Sequence, residues 1–208
     1  PYDRPSPRGA KPPAILELAV AEPVLSSRRM LHLGIDEAGY GPMLGPLAIV
    51  AAAATVTNAR LFRRECAELG VADSKVVHAG GNFARLEGVA LSGLTWLTGS
   101  RVDNAADVFA CLGESSAMRA SAPWMAGADD LRLPMSPATI ASWAVRGARA
   151  HALSGRLVHV RRLNDLRLTG VNRAAAELRV VRELMAAAIP DPASLAAITC
   201  DRLGGRLR

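Results

Sequence analysis

Asp36 and Glu37 are adjacent acids between an apolar run, Leu31–Ile35, and the turn-forming stretch AGYGPMLGP over residues 38–46. Two like charges beside apolar residues are costly unless a cation or a hydrogen-bond donor compensates them. A third acid, Asp201, also ends an apolar segment, LAAITCD over 195–201. Acids at strand ends, drawn from distant parts of a chain, are a common way for α/β sheets to build sites. Oxygen ligands without histidine or cysteine suit magnesium or manganese. Two such ions activate a water and stabilise the leaving oxygen in phosphodiester cleavage.

Neighbours in a regular strand point to opposite faces, so Asp36 and Glu37 share one spot only if the chain leaves the pleat there. Ala38-Gly39 after them fits such an exit, because glycine permits the dihedrals of a sharp turn. Gly39-Tyr40-Gly41 also allows close backbone approach to a ligand. A dinucleotide loop is a poor match, since proline follows the second glycine and acids precede the first. The plain alternative for the acidic pair is a helix cap or an exposed turn, and for Asp201 a surface ion pair with Arg202.

The elements that must carry these residues read as alternating strands and helices. Leu31–Ile35 and Pro46–Val56 flank the glycine-rich turn and suggest a hairpin or two neighbouring strands. Asn58 looks like the cap of a helix over 59–70, with Gly70 as its stop. VADSKVV (71–77) reads as a loop, 82–98 as a helix, 103–113 as a short helix, and 121–134 as loop-like. Within that loop, Trp124 is expected to anchor by packing and Asp129-Asp130 to be solvated. Ser136-Pro137 looks like a helix start, with Ile140, Trp143, Ala144, Gly147, Ala148 and His151 at helical spacing. RLVHVRR (156–162) reads as a strand. Residues 170–188 form an amphipathic helix with Leu178, Val181, Met185 and Ala188 on one stripe, and 195–201 a buried strand. Such alternation indicates an α/β domain with a mixed sheet.

The chain has 208 residues, half of them hydrophobic and few aromatic, with a net charge of +6. A basic balance favours polyanionic partners such as nucleic acid. Arginines recur on the helices at 60, 63, 64, 173, 179 and 182 and near Asp201 at 202, 206 and 208; the bland reading is solvated helix faces. Three widely spaced cysteines make no disulfide framework and are expected to be reduced and near the core. The scattered histidines argue against a histidine metal site. No apolar run reaches transmembrane length unbroken, and no secretory signal is visible, so the expected location is cytoplasmic, with no membrane partner. Residues 1–28 read as a flexible tail and 29–208 as the domain; both ends look cut, so the chain is read as a fragment.

GIDEAGYGPMLGPL (34–47) resembles the N-terminal signature of the type 2 ribonuclease H family, also called ribonuclease HII, departing at Tyr40, where the family has arginine. ADSK (72–75) resembles its D-S-K motif, LNDLRLTGVNRAAAELRVVRELM the asparagine-containing helix before the third acidic strand, and AAITCDRLGGR that strand. The resemblance covers roughly 31–98 and 156–208, and 99–155 looks like an insertion.

The resemblance implies a ribonuclease H-like fold, a mixed sheet flanked by helices, incomplete at the C-terminus. It implies a four-carboxylate, two-metal endoribonuclease using Mg2+ or Mn2+. The substrate would be an RNA-DNA hybrid or a ribonucleotide embedded in duplex DNA, cut 5′ of a ribonucleotide by a monomer. Asp36, Glu37 and Asp201 would be catalytic metal ligands. Gly39, Tyr40 and Gly41 would sense the ribose 2′-hydroxyl, and Ser74 and Lys75 would sit near the scissile phosphate. The fourth carboxylate is expected downstream of Asp201, beyond the chain. The alternative is a homologue that binds nucleic acid without cleaving it.

Overall fold

The computed structural model describes residues 30–38, 46–120, 122–189 and 195–200. Four strands form one sheet: β1 (Met30–Ala38), β2 (Leu47–Val56), β3 (Ala148–Val158) and β4 (Leu195–Cys200). Their spatial order is β3-β2-β1-β4. β1 and β2 run antiparallel, as do β2 and β3, whereas β4 runs parallel to β1. The helices are α1 (Ala59–Glu68), α2 (Ser74–Val77), α3 (Phe83–Thr98), α4 (Ala105–Cys111), α5 (Ser116–Arg119), α6 (Val160–Leu168) and α7 (Arg173–Ala188).

Alternation in β1 and β2 builds two layers of core. Leu31, Leu33 and Ile35 of β1, with Leu47, Ile49, Ala51 and Ala53 of β2, pack under Val181, Leu184 and Ala188 of α7. The other face carries Ala54, Val56 and Ala148 against Phe62 of α1 and Trp96 of α3. The small alanines of β2 let helices approach both faces of this central strand. The result is an α/β architecture, a mixed sheet flanked by helices.

Local signals behave as read. The Asn58 side chain accepts from Leu61 N at 2.9 Å and starts α1, and Gly70 takes the left-handed conformation that ends it. Cys66 and Cys111 are half-buried thiols, whereas Cys200 is exposed and not near the core.

The expected helix from Ser136 is absent. Residues 138–146 are irregular, and β3 begins at Ala148. The backbone donors of this segment are claimed by side chains from other elements. Glu87 accepts from Met135 N at 2.5 Å and Ser136 N at 2.8 Å, and Ser92 Oγ accepts from Ala141 N at 2.8 Å. Glu65 accepts from Arg146 N at 3.1 Å and Gly147 N at 2.9 Å. The Gly147 carbonyl in turn accepts from Thr57 N and Asn58 N, both at 3.0 Å. A chain whose donors are met this way gains nothing by coiling, and β2 offers it a full-length strand partner.

Other readings are corrected by the same non-local packing. RLVHVRR is divided: β3 ends at Val158 and α6 starts at Val160. VADSKVV contains the helical turn α2, capped by Asp73, which accepts from Lys75 N at 2.8 Å. Trp124 is 62% exposed and anchors nothing by burial. Trp143 does pack, its ring 6.5 Å from that of Trp96, but His151 is exposed. Asp129 is not simply solvated: it pairs with Arg119, which is buried and lies 4.2 Å over the Phe109 ring. β4 is an edge of the described sheet, with Ile198, Thr199 and Cys200 exposed, so it is not the buried strand its composition suggested. β3 includes the last residues of the stretch 99–155 and pairs with β2 along its whole length.

Candidate functional site

β1 is the strand that carries the acidic pair, and it does not leave the pleat there. The antiparallel register continues through Asp36↔Val50, Glu37↔Ile49 and Ala38↔Ala48. The two acids therefore face opposite sides of the sheet. Asp36 is exposed, and its Oδ1 accepts from the Glu37 backbone N–H at 2.8 Å. Glu37 continues the series Leu31, Leu33, Ile35 on the α7 side and is half-buried.

On that side Glu37 meets α7. The helix is capped by Asn172, whose side chain accepts from Ala175 N at 2.9 Å. Its inward stripe is Glu177, Val181, Leu184 and Ala188, not the expected Leu178, Val181, Met185 and Ala188. Leu178 is 52% exposed, while Glu177 is fully buried. The helix is thus rotated by part of a turn from its apolar reading, because Leu184 and Val181 fit the β1–β2 surface. Burial raises the Glu177 carboxyl above the usual carboxylate range; the Glu37 charge raises it further, and Arg173 pulls it back. Glu177 and Arg173 are members of the site neighbourhood that sequence reasoning did not assign. The available signal was an acid at the first position of an otherwise apolar 177/181/184/188 stripe.

Ser74 and Lys75 stand exposed on the separate turn α2, next to α3. Gly39, Tyr40, Gly41 and Asp201 lie outside the described residues. Parallel pairing of β1 with β4 runs to Ile35↔Cys200, and the next residue of each strand in sequence is an aspartate.

Among the described residues, no group of three or more His, Cys, Asp or Glu side chains forms a metal cage. The donors present are all carboxylate oxygens, and both oxygens of the buried Glu177 lack a hydrogen-bond partner among the described residues. That donor chemistry fits a hard divalent cation held by few protein ligands. A basic cleft of about 240 Å³ lies beside the C-terminal end of β3, lined by Arg156 and Val158, Arg162 of α6, and Arg179 and Glu183 of α7. Val158 pairs with Leu47, so this cleft is at the same end of the sheet as Glu37. Among the described residues no helix is long and apolar enough to cross a membrane.

The sheet order, the single parallel pair and helices on both faces are consistent with a ribonuclease H-like fold. Residues 33–80, which span the last two thirds of β1, all of β2 and helices α1 and α2, match the family model Ribonuclease HII. The chain resembles that family of endoribonucleases over this part of its length. No curated protein and no solved structure matches the chain significantly.

Proposed function

We propose that the protein is a metal-dependent endoribonuclease that hydrolyses the RNA strand of RNA-DNA hybrids, or ribonucleotides embedded in duplex DNA, on the 5′ side of a ribonucleotide. The observation that carries this reading is the parallel β1–β4 register, which reaches Ile35↔Cys200, each followed in sequence by an aspartate. Asp36 and Asp201 are the residues that follow this last described pair in sequence. In this proposal Asp36, Glu37 and Asp201 are oxygen ligands for Mg2+ or Mn2+. The bound cation would supply an activated water and charge stabilisation at the leaving oxygen.

The remaining roles follow the chemistry of the substrate. Gly39, Tyr40 and Gly41 read the ribose 2′-hydroxyl, the group that distinguishes RNA from DNA at one position. Ser74 and Lys75 meet the scissile phosphate; their exposure on α2 supports access to a large ligand. Arg156, Arg162 and Arg179 hold flanking phosphates, giving binding that weakens steeply with salt.

Asp36→Asn tests the reading. Cleavage of a hybrid in Mg2+ should fall by roughly 10³-fold or to background, with hybrid affinity at fixed salt nearly unchanged. Undiminished cleavage by a pure variant rejects Asp36 as a ligand. The second reading is a homologue that binds hybrids without cutting them, favoured by the opposite facing of Asp36 and Glu37. Tight hybrid binding by the wild-type protein, with no cleavage in Mg2+ or Mn2+, would establish it.

A further inference from the structure

The stretch after α4 presses along the end of β3. A Cβ on Gly155 would meet the Leu112 side chain, and a Cβ on Gly113 would lie 2.6 Å from Arg156 Nη1. Gly113, in the left-handed conformation, thus leaves room for the guanidinium, whose Nη1 donates to the Gly155 carbonyl at 3.0 Å. The next residue, Glu114, hydrogen-bonds His159, with Oε1 2.7 Å from Nε2. His159 stands at the start of α6, yet its ring makes no cap bond there.

Both partners are buried, Glu114 at 5% and His159 at 8% exposure. Glu114 Oε2 and His159 Nδ1 have no hydrogen-bond partner among the described residues. Such a pair is seldom worth more than apolar residues of the same volume, so packing alone does not account for it. What it adds is direction: one hydrogen bond fixes where the loop meets the junction of β3 and α6. Two arginines of the basic cleft, Arg156 on β3 and Arg162 on α6, flank His159 three residues to either side. Arg119 extends the brace, since its buried guanidinium donates to the Glu114 carbonyl at 3.1 Å and pairs with Asp129. Between Glu114 and Arg119, Met118 of α5 lines the same cleft. This stretch lies within 99–155, which the proposed reaction leaves without a role.

We infer that Glu114 and His159 are a positioning pair for nucleic-acid binding: their hydrogen bond pins residues 112–118 to the β3–α6 junction and holds Arg156 and Arg162 in place for the phosphates of a bound RNA-DNA hybrid. The inference rests on the phosphate-binding role proposed above for the cleft. Neither residue touches the reacting atoms, so the effect is on binding and is read without turnover.

The direct experiment measures affinity for a short RNA-DNA hybrid against salt concentration, with chelator present and below the unfolding temperature of each protein. Arg156→Gln should make the salt slope shallower by about one, the loss of one phosphate contact. Glu114→Leu should do the same, and adding Arg156→Gln to it should cost nothing more, because coupled residues are not additive. Glu114→Gln, which keeps an acceptor for the ring N–H, should restore the slope. A Glu114→Leu protein with the wild-type slope overturns the inference, as does a Glu114→Gln protein no better than the leucine variant. The wild-type chain gives a second reading: in proton–nitrogen correlation spectra the ring nitrogens of His159 should shift as hybrid is added, and Arg156→Gln should abolish the shift. Unmoved ring signals at saturating hybrid overturn the inference even where Glu114→Leu fails to fold. Coupled slopes without hybrid cleavage in Mg2+ would keep the positioning pair and remove the proposed activity. Hybrid cleavage with the wild-type slope in Glu114→Leu would do the reverse.

Discussion

Glu65 and Glu177 are carboxylates withdrawn from solvent on opposite faces of the same sheet. Glu65, on α1, accepts from the backbone N–H groups of Arg146 and Gly147 and from Arg146 Nε at 3.3 Å. Glu177, on α7, accepts nothing among the described residues. The Gly147 amide, followed by the bonds and charge of Arg146, outweighs burial and holds the Glu65 carboxyl below its usual range. Burial and the Glu37 charge push Glu177 the other way. Equal burial thus serves two ends: one acid organises a loop by filling its donors, and the other keeps its oxygens uncommitted. Glu87 belongs with Glu65, since it clasps Met135 and Ser136 in the same segment.

The contrast can be broken most severely at Gly147. A Cβ there would meet the Phe62 amide nitrogen, lie 2.8 Å from Phe62 Cα and 2.9 Å from the Asn58 carbonyl oxygen, all backbone atoms that cannot swing aside. Gly147→Ala should cost about 3 kcal/mol in urea unfolding, by forcing the loop off α1 and off the Glu65 carboxylate.

The pH dependence of stability sharpens the comparison, because the two acids contribute with opposite sign. Glu65 has a folded-state pKa below its ordinary 4.5, so its stabilisation is present above that pH and is lost as the pH falls through the lower folded value. Glu177 has a folded-state pKa above 4.5, so its penalty is absent below that pH and grows as the pH rises through the raised value. In chelator-treated protein, Glu65→Gln should therefore flatten the acid limb of a stability profile. Glu177→Gln should instead raise stability at neutral pH relative to wild type. A neutral-pH loss in Glu177→Gln would show that Glu177 is satisfied like Glu65.

The smallest expected effect is at the far end of the clasp. Ser136 Oγ hydrogen-bonds Glu87, which keeps two backbone donors as well. Ser136→Ala should cost only about 1 kcal/mol by thermal or chemical unfolding, because the carboxylate stays satisfied.

These particulars separate what was legible in the chain from what was not. The β1–β2 pair, the Asn58 cap and helices α1, α3, α4 and α7 rest on signals within a few residues, and each appears where the pattern lies. The glycine-rich signature around Asp36 and Glu37 was equally local, and the family match over 33–80 falls on it. The segment 136–151 misled because its helical spacing was real while its donors belonged to Glu65, Glu87 and Ser92, dozens of residues away. The turn at Asp36 misled because pairing with β2 holds β1 in the pleat through Ala38.

By itself the sequence determined the alternation of elements, the places where helices begin, and the types of acid available for chemistry, since all of these follow from neighbours along the chain. Only the tertiary structure decided which acids share a face. Sheet pairing turns Asp36 and Glu37 apart, and the packing of Val181 and Leu184 on β1 and β2 rotates Glu177 inward toward Glu37. The physical reason is that a face is a property of partners, and those partners are brought together only by the fold.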